Sequence, residues 1–265
     1  MEKFPKYFLS TFILVIYTNL QAQVNCNSIE GENCKKACEI FNNDSGSQGS
    51  QQSQENLDKA IVLCPSFSDA YMEKSVPYLK RGDFVTWKKL IDKAVELDPA
   101  NQLGYRGWCK LQFLRDYEGA IEDFDQLEKY RPENLGYSKN GNYNLYVAKA
   151  ICYSALNQKE KAIKILENLF KTKDYNFGLY DYYQLGVTYF ELTQYDKALE
   201  NFEKQSKIYD FAENIYFKSK VAKIRNKDYL DLKNLALKTY DEGKYMKDAY
   251  THHFNKVYRT QIAEL

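Results

Sequence analysis

Histidine is scarce in this chain, and the sequence patterns of common enzyme families are missing. The 265 residues include only two histidines, His252 and His253, which are adjacent and would therefore not face each other on a helix. The chain contains no G-x-x-x-x-G-K-[ST] or G-x-G-x-x-G phosphate loop, no G-x-S-x-G nucleophile elbow and no H-E-x-x-H metal motif. We therefore assign no catalytic residue, no metal ligand and no cofactor, and an enzyme is the least favoured class of function.

An excess of either charge is also missing. The chain has 37 basic and 36 acidic residues, so its formal net charge is +1. Nucleic-acid-binding proteins usually carry a strong basic excess on one face, and a nucleic-acid partner is therefore not expected. Aromatic residues, by contrast, are abundant, with 24 tyrosines and 15 phenylalanines. They indicate either codon usage combined with repeats that need aromatic residues at fixed places, or an aromatic binding surface.

Long apolar runs are missing except at the N-terminus. An apolar segment over Tyr7–Leu20 follows two lysines, and Ala22 supplies a small residue for signal-peptidase cleavage. A membrane span needs about 20 apolar residues, whereas this run is shorter and contains polar residues. Residues 1–22 therefore predict a signal peptide cleaved near Ala22, and a periplasmic or extracellular protein without a stable membrane span. A lipoprotein attached at Cys26 is the alternative, although the residues before this cysteine lack the small side chains of a lipobox.

One segment has a regular spacing of aromatic and small residues. It reads Tyr182-x-x-Leu185-Gly186-x-x-Tyr189, followed by Tyr195, Ala198 and Phe202. This spacing closely resembles the tetratricopeptide repeat signature. Gly186 and Ala198 are small enough for two helices of a hairpin to approach each other, and the larger side chains fill the remaining space. Because a hairpin this short buries too little apolar surface alone, the family stacks such units side by side.

The same pattern recurs along most of the chain. Five copies begin with an aromatic residue at near-constant spacing: Tyr71, Tyr105, Tyr146, Tyr182 and Tyr216. Pro65 and Pro99, which each end a helix, are 34 residues apart, and this is the period of the family. In the last copy Lys220 stands where a small residue belongs, which predicts a looser terminal hairpin.

The resemblance implies an all-α fold: a right-handed α-solenoid of about five to six tetratricopeptide helix-turn-helix repeats with a C-terminal capping helix. It divides the chain into a signal peptide (1–22), an N-terminal extension (23–33), the repeat array (34–246) and a C-terminal capping segment (247–265). A Gly/Asn-rich insertion at 133–144 interrupts the array. We interpret it either as a plain surface loop or as an edge of a binding site, since loops often carry function.

In such an array the first helix of each hairpin lines the concave side, as the resemblance implies. This face contains apolar and aromatic residues and two cations: Met72, Arg106, Lys110, Phe113, Tyr183, Phe190 and Phe217. These side chains either bind a ligand or contact the neighbouring repeat. The favoured function is an exported scaffold for protein–protein interaction or assembly in the cell envelope, with a protein or peptide partner. The alternative is a binder of a small ligand or oligosaccharide that uses Tyr183 and Phe190 as aromatic platforms.

The six cysteines indicate disulfide bonds if the chain is exported, and sequence alone does not choose among the 15 complete pairings. In a helical hairpin the start of the first helix lies beside the end of the second. Cys34 and Cys38 open the first unit and Cys64 closes it, so we predict that one of the two bonds Cys64. The two cysteines farther along the chain are predicted to be buried free thiols. The rival pairing joins Cys26 to Cys34 and leaves Cys64 free.

Overall fold

The chain folds into helices joined by short loops. The computed structural model describes residues 23–265, and the predicted signal peptide over residues 1–22 lies outside this described part. No β-sheet forms within it, although one isolated antiparallel bridge joins Tyr137 to Asn144. The α-helices, in chain order, are α1 (Glu32–Asn42), α2 (Gln51–Leu63), α3 (Ser68–Arg81), α4 (Phe84–Leu97), α5 (Pro99–Cys109), α6 (Tyr117–Tyr130), α7 (Leu145–Ala155), α8 (Lys159–Phe170), α9 (Asp181–Glu191), α10 (Tyr195–Ile208), α11 (Ala212–Ile224), α12 (Leu230–Asp241) and α13 (Arg259–Ala263).

Consecutive helices pair into hairpins that stack in chain order. Over the described residues there are six such hairpins, from α1 with α2 to α11 with α12. The second helix of each hairpin also packs on the first helix of the next, so most contacts join neighbours along the chain. Stacked hairpins of this kind form an α-solenoid. The predicted all-α solenoid of five to six repeats is therefore confirmed.

Local sequence signals set the helix ends. Asp83, Asp98 and Asp116 cap the N-termini of α4, α5 and α6, accepting hydrogen bonds of 3.0, 3.2 and 2.9 Å from backbone N–H groups three residues ahead. Pro99 lies in the first turn of α5, where the missing N–H group costs no helical hydrogen bond. Gly82 ends α3 with a φ of 82°, a left-handed conformation that glycine adopts without strain.

Small residues let the two helices of a hairpin come close together. A Cβ atom added to Gly186 in α9 would lie 2.5 Å from the ring of Phe202 in α10, and Ala198 is fully buried in the same hairpin. In the third hairpin a Cβ atom added to Gly107 would lie 2.8 Å from the ring of Phe124. The fifth hairpin therefore has the close approach that the repeat pattern predicts for Gly186.

In the last hairpin Lys220, at the position of the small residue, lies over aromatic rings. Lys220 does not enter the hairpin, since its Nζ lies 5.0 Å from the ring centre of Phe190 and 5.6 Å from that of Phe217. The preceding residue, Ser219, is fully buried, and its hydroxyl donates a hydrogen bond of 2.9 Å to the carbonyl of Tyr229. A small residue is therefore present at the approach of α11 to the start of α12, and Lys220 covers aromatic rings instead.

Two disulfide bonds fasten the N-terminal hairpin. Cys34 at the start of α1 is bonded to Cys64 at the end of α2, with 4.8 Å between their Cα atoms. Cys26 is bonded to Cys38, with 5.6 Å between their Cα atoms. The structure therefore gives Cys64 the partner Cys34 rather than Cys38, and it does not contain the rival bond between Cys26 and Cys34.

The other cysteines of the described residues are buried free thiols. Cys109 lies in α5 and Cys152 lies in α7, and neither is bonded. Burial raises the pKa of the Cys109 thiol to about 12 and also raises the pKa of the Cys152 thiol. Because the thiolate is the reactive form, both cysteines are poorly suited to nucleophilic chemistry.

The insertion at 133–144 leaves the stacking of its flanking hairpins unchanged. The hydroxyl of Tyr71 donates a hydrogen bond of 3.2 Å to the carbonyl of Pro65, six residues earlier. The hydroxyl of Tyr146 donates one of 3.4 Å to the carbonyl of Pro132, fourteen residues earlier. The same tyrosine–proline contact therefore forms in a hairpin that follows the insertion and in one that does not. The insertion is a loop that leaves the array and returns to it.

The C-terminal segment has two parts. Its last part covers the end of the array, where α13 packs on α12 and both Val257 and Ile262 are buried against Ala212 and Ile215 of α11. This is the packing expected of a capping segment. The preceding residues 246–256, called the groove loop below, do not cap the last hairpin. They form an irregular loop that runs back across the first helices of earlier hairpins.

Candidate functional site

The groove loop lies on the face that the resemblance assigns to the concave side of the array. Its contacts reach α3, α9 and α11, which are the first helices of the second, fifth and sixth hairpins. It also contacts the π-helical turn Lys110–Leu114, which continues α5, the first helix of the third hairpin. The candidate site is therefore a groove along the array that already holds an irregular loop of the same chain.

The loop enters the groove at a buried carboxyl group. The backbone N–H of Met246 donates to both carboxyl oxygens of Glu213 in α11, at 3.1 and 3.2 Å. Both residues are fully buried. Burial raises the pKa of Glu213 to about 7, because desolvation of the charged form outweighs the hydrogen bonds that favour it. This contact anchors the first end of the loop.

The far end of the loop is held by a buried histidine. His253 packs against both Tyr143 and Tyr180, with ring centres 5.8 and 5.3 Å from its own. Its Nε2 is 2.9 Å from the carbonyl of Lys247, and its Nδ1 is 3.3 Å from the hydroxyl of Tyr143. A carbonyl can only accept, so Nε2 carries the proton and Nδ1 of the neutral ring accepts from Tyr143. Burial lowers the pKa of His253, which favours this neutral form.

Side chains of α9 bind the main chain of the loop. The hydroxyl of Tyr183 donates a hydrogen bond of 2.5 Å to the carbonyl of Asn255, and Nε2 of Gln184 donates one of 3.2 Å to the carbonyl of Phe254. Nδ2 of Asn255 in turn donates to Oε1 of Gln184 at 2.9 Å. Hydrogen bonds to main-chain carbonyls can form with most side-chain sequences, because every residue of a bound segment presents a carbonyl group.

The third hairpin binds the middle of the loop in the same manner. The guanidinium of Arg115 donates to the main-chain carbonyl of His252. Thr251 contributes the reverse contact, since its hydroxyl donates a hydrogen bond of 2.8 Å to the carbonyl of Gln112. The loop is therefore held at intervals by polar contacts from separate hairpins.

The apolar residues predicted for the groove lie beneath the loop or between helices. Tyr183 is fully buried, and only 5% of Met72 is exposed. Phe190 and Phe217 pack against each other with ring centres 5.2 Å apart, and Phe113 packs on the main core. Tyr183 therefore offers no open platform for a sugar ring, because the loop and neighbouring rings cover it.

The two cations predicted for the groove both form ion pairs with one buried carboxylate. Nη2 of Arg106 lies 2.6 Å from Oδ1 of Asp123, and Nζ of Lys110 lies 2.9 Å from Oδ2 of the same residue. Arg106 also pairs with Asp92 at 2.9 Å. Asp123 is only 1% exposed and belongs to α6, so both cations are directed at the second helix of their own hairpin. Neither one is a free charge for the carboxylate of a partner.

The aromatic residues that begin the repeat copies have packing roles. They are partly buried against their own or neighbouring hairpins: Tyr71, Tyr105, Tyr146, Tyr182 and Tyr216. The ring of Tyr182, for example, stacks on that of Phe177 with 4.4 Å between centres. These residues position the helices that form the groove. They do not form its exposed surface.

Reasoning from the sequence missed the residues that hold the loop. Tyr143 belongs to the insertion and Tyr180 precedes α9, so neither occupies a repeat position. Glu213 interrupts an apolar stretch at the start of α11, and this was a usable signal of a buried carboxyl group. The sequence around these three residues does not identify the distant segment that contacts them.

A separate cavity of about 550 Å³ lies beside the insertion. Tyr137 of the insertion, Asn168 of α8 and Asn176 of the loop before α9 contribute to its lining. The hydroxyl of Tyr137 donates a hydrogen bond of 3.2 Å to the carbonyl of Asn176, so the insertion and this loop meet at the cavity. Lys149 also lines it, but it is already paired with Glu128 and a second carboxylate, each at 2.7 Å.

Residues 23–265 hold no group of three or more histidine, cysteine, aspartate or glutamate side chains arranged to bind a metal ion. Across the same residues, none of the helices combines the length and the hydrophobicity that crossing a bilayer requires.

Together these observations define an α-solenoid of stacked helical hairpins whose groove holds a segment of its own chain. Residues 143–174 and 182–210 match the family model described as Tetratricopeptide repeat. The fold and this match support the tetratricopeptide repeat family, which the sequence resembles. No curated protein sequence matches the chain.

Several solved structures share the fold. The structure of PilF from Pseudomonas aeruginosa has a TM-score of 0.57 and 14% identity, over 72% of this chain and 83% of that one. PilW, described as a widely conserved type IV pilus biogenesis factor, has a TM-score of 0.57 and 15% identity, over 79% and 92%. MamA from Desulfovibrio magneticus RS-1 has a TM-score of 0.53 and 17% identity, over 68% and 97%. At such identities the likeness concerns the fold alone.

Proposed function

We propose that the protein is an exported tetratricopeptide scaffold that binds an extended segment of a protein partner in its groove, within the cell envelope. One observation carries the proposal: Tyr183, Gln184 and Arg115 all donate to main-chain carbonyls of the groove loop. A surface that binds main-chain carbonyls at several points is suited to an extended peptide, because every peptide presents such carbonyls.

Export is supported by two features of the N-terminal region. The predicted signal peptide ends near Ala22, and two disulfide bonds link the extension and the first hairpin that follow it. Disulfide bonds form and persist in oxidising compartments such as the periplasm and the cell exterior. Mass spectrometry of the protein from producing cells tests this part. We expect an exported fraction whose chain begins at Gln23, whereas a cytoplasmic chain that retains residues 1–22 would contradict it.

Partner binding can be tested by photo-crosslinking in producing cells. A photoreactive amino acid replaces Lys80, an exposed residue of α3 that contacts the groove loop. The matched control replaces Val62, which is 78% exposed on α2, the second helix of the first hairpin. We expect a covalent adduct of discrete mass with an envelope protein from position 80 and none from position 62. Equal adducts from both positions, or none from either, would argue against the groove as the partner site.

A second candidate function, binding of a small polar ligand, is favoured by the cavity beside the insertion. Its volume of about 550 Å³ falls within the range of ligand pockets, and amide and phenol groups line it. A thermal-shift screen with neutral monosaccharides and oligosaccharides tests this candidate, with Asn168→Ala as the variant. A ligand that stabilises the wild type and not the variant supports it, and a screen without any stabilising ligand counts against it.

A further inference from the structure

The cavity beside the insertion is formed by the two parts of the chain that lengthen the repeats. The insertion at 133–144 contributes Tyr137 to its lining, and the loop between α8 and α9 contributes Asn176. Tyr146 and Tyr182, which begin the fourth and fifth copies, are 36 rather than 34 residues apart, so this loop is also longer than the repeat requires. The two added segments meet at the hydrogen bond from Tyr137 to the carbonyl of Asn176. The cavity is therefore an addition to the array and not a gap that every pair of hairpins would leave.

One buried amide at the cavity has a donor without an acceptor. Asn144 lines the cavity and is only 3% exposed. Its Oδ1 accepts a hydrogen bond of 2.9 Å from the backbone N–H of Tyr146 and so caps α7. Because an N–H group only donates, the atom that faces Tyr146 is the oxygen, and Nδ2 is the free end. Within residues 23–265 no group accepts from this Nδ2, and it is not among the unbonded side-chain atoms that are sealed from solvent. Asn144 therefore presents a hydrogen-bond donor, and no acceptor, to the cavity.

The charges around the cavity disfavour an anionic acceptor for this donor. Lys149 is paired with Asp125 and Glu128, each at 2.7 Å, so this group carries one positive and two negative charges. The exposed rim of the cavity again has one cation and two carboxylates: Lys173, Glu133 and Asp174. A carboxylate or phosphate ligand is repelled by this excess of negative charge, whereas the oxygen of a neutral carbonyl group is not.

The rest of the lining suits a sugar ring. Tyr137 and Tyr175 line the cavity, and their hydroxyls already donate to protein oxygen atoms at 3.2 and 2.6 Å. They therefore offer the faces of their rings, against which the C–H face of a sugar packs as an apolar surface. Asn168 and Asn176 also line the cavity, and their side-chain amides form no hydrogen bond with other described residues. Each amide both donates and accepts, which matches sugar hydroxyl groups because these do the same.

We infer that the cavity beside the insertion binds an N-acetylated hexosamine, with Nδ2 of Asn144 donating to the carbonyl of the acetamido group and the tyrosine rings packing on the sugar. The acetamido carbonyl is the neutral acceptor that the buried donor and the surrounding charges select. This inference rests on the second candidate function, since it names the ligand class for the same cavity.

Isothermal titration calorimetry on the full mature protein tests the inference with two matched disaccharides. N,N′-diacetylchitobiose carries acetamido groups, and cellobiose carries hydroxyl groups at the same positions. We expect N,N′-diacetylchitobiose to bind at least about tenfold more tightly, because cellobiose leaves the buried donor without its carbonyl acceptor. An N-acetylated dipeptide amide, which presents amide carbonyls without a sugar ring, should bind more weakly than N,N′-diacetylchitobiose.

The decisive variant is Asn144→Asp. Aspartate keeps an oxygen that caps α7 and loses the donor, so the preference for the acetylated disaccharide should fall to about onefold. Asn142→Asp is the matched control, because it adds the same charge to the insertion at a residue outside the cavity lining, and it should keep the preference. If circular dichroism shows that Asn144→Asp does not fold, Asn144→Ser replaces it, since serine also caps a helix and lacks the amide.

Three results would overturn the inference: equal affinity of the wild type for the two disaccharides, tighter binding of the dipeptide amide, or an unchanged preference in the Asn144 variant. Binding of both disaccharides without preference, lost in Asn168→Ala, overturns the inference and leaves the second candidate function standing. Absence of binding of either disaccharide also overturns the inference, and the wider saccharide screen then decides the second candidate function by itself.

Discussion

Glu213 and His253 hold opposite ends of the same loop, and burial shifts their pKa values in opposite directions. The pKa of Glu213 is raised to about 7 from 4.5, and the pKa of His253 is lowered from 6.5. In both residues burial disfavours the charged form, which is the anion for glutamate and the cation for histidine. The two groups therefore give opposite pH dependences to the stability of the folded chain, and each can be isolated by substitution.

For Glu213 the folded chain binds a proton near pH 7, whereas the unfolded chain binds it only near pH 4.5. The stability that this group contributes is therefore full below pH 4.5 and is lost as the pH rises through about 7. The difference corresponds to at most about 3 kcal/mol. We expect the free energy of unfolding to fall more between pH 5 and pH 8 in the wild type than in Glu213→Gln, by about 1–3 kcal/mol. Urea titrations at both pH values measure it.

The matched control for this experiment is Glu264→Gln, which changes an exposed carboxylate in the same C-terminal segment. Its pH dependence is expected to match that of the wild type. If the free energy of unfolding of Glu213→Gln changes with pH as that of the wild type does, this carboxyl group is not the source of the pH dependence.

His253 has the opposite sign. Its folded-state pKa lies below 6.5, so the unfolded chain takes up a proton first as the pH falls. The stability contributed by the neutral ring is present above pH 6.5 and is lost as the pH decreases below it. We expect the wild type to lose stability relative to His253→Gln between pH 7 and pH 5. The variant keeps an amide that can donate to the carbonyl of Lys247. Urea titrations at both pH values measure the free energy of unfolding, and an equal change in the two proteins would contradict the assignment.

Gly186 is predicted to be intolerant of even one methyl group. The Cβ atom of alanine would lie 2.5 Å from the ring of Phe202, so the ring or a helix must move. We expect Gly186→Ala to lower the free energy of unfolding by on the order of 1–3 kcal/mol. Phe202→Leu provides the control, because a smaller side chain makes room for the added methyl group. The double variant should lose less stability than the sum of the single variants, and strict additivity would count against this contact.

The disulfide bonds are predicted to be Cys34 with Cys64 and Cys26 with Cys38. Alkylation of the native protein followed by non-reducing peptide mapping checks both pairs, and finding Cys64 alkylated before unfolding would rule out its bond. The bonded residues are 30 and 12 positions apart. Because the longer loop loses more chain entropy on closure, replacing the pair Cys34 and Cys64 by serine should cost about 1 kcal/mol more than replacing the other pair.

The array was predictable because its packing repeats in sequence. Gly186, Ala198 and Phe202 recur in type and spacing in other hairpins, so local spacing reports which side chains meet. The charge of the groove was less predictable, because it depends on a carboxylate of the second helix of the hairpin. Asp123 lies 17 residues after Arg106, on the second helix, and pairs with two cations that the concave face alone would leave free.

The occupant of the groove was not predictable from spacing. Residues 246–256 have no helical periodicity, and their partners are far away in the chain. Phe254 is bonded to Gln184 at a separation of 70 residues, and His252 to Arg115 at a separation of 137. Such contacts join separate hairpins to one segment. No local pattern records that arrangement.

The groove loop also changes how the array should unfold. In a linear array each hairpin contacts only its neighbours, so one end can melt while the other stays folded. The groove loop bonds directly to the third, fifth and sixth hairpins and thereby links the third hairpin to two hairpins that are not its neighbours in the array. Melting the sixth hairpin must therefore also release contacts in the third. With the groove loop intact these hairpins should melt in one cooperative transition, and with the loop cut they should melt in separate steps.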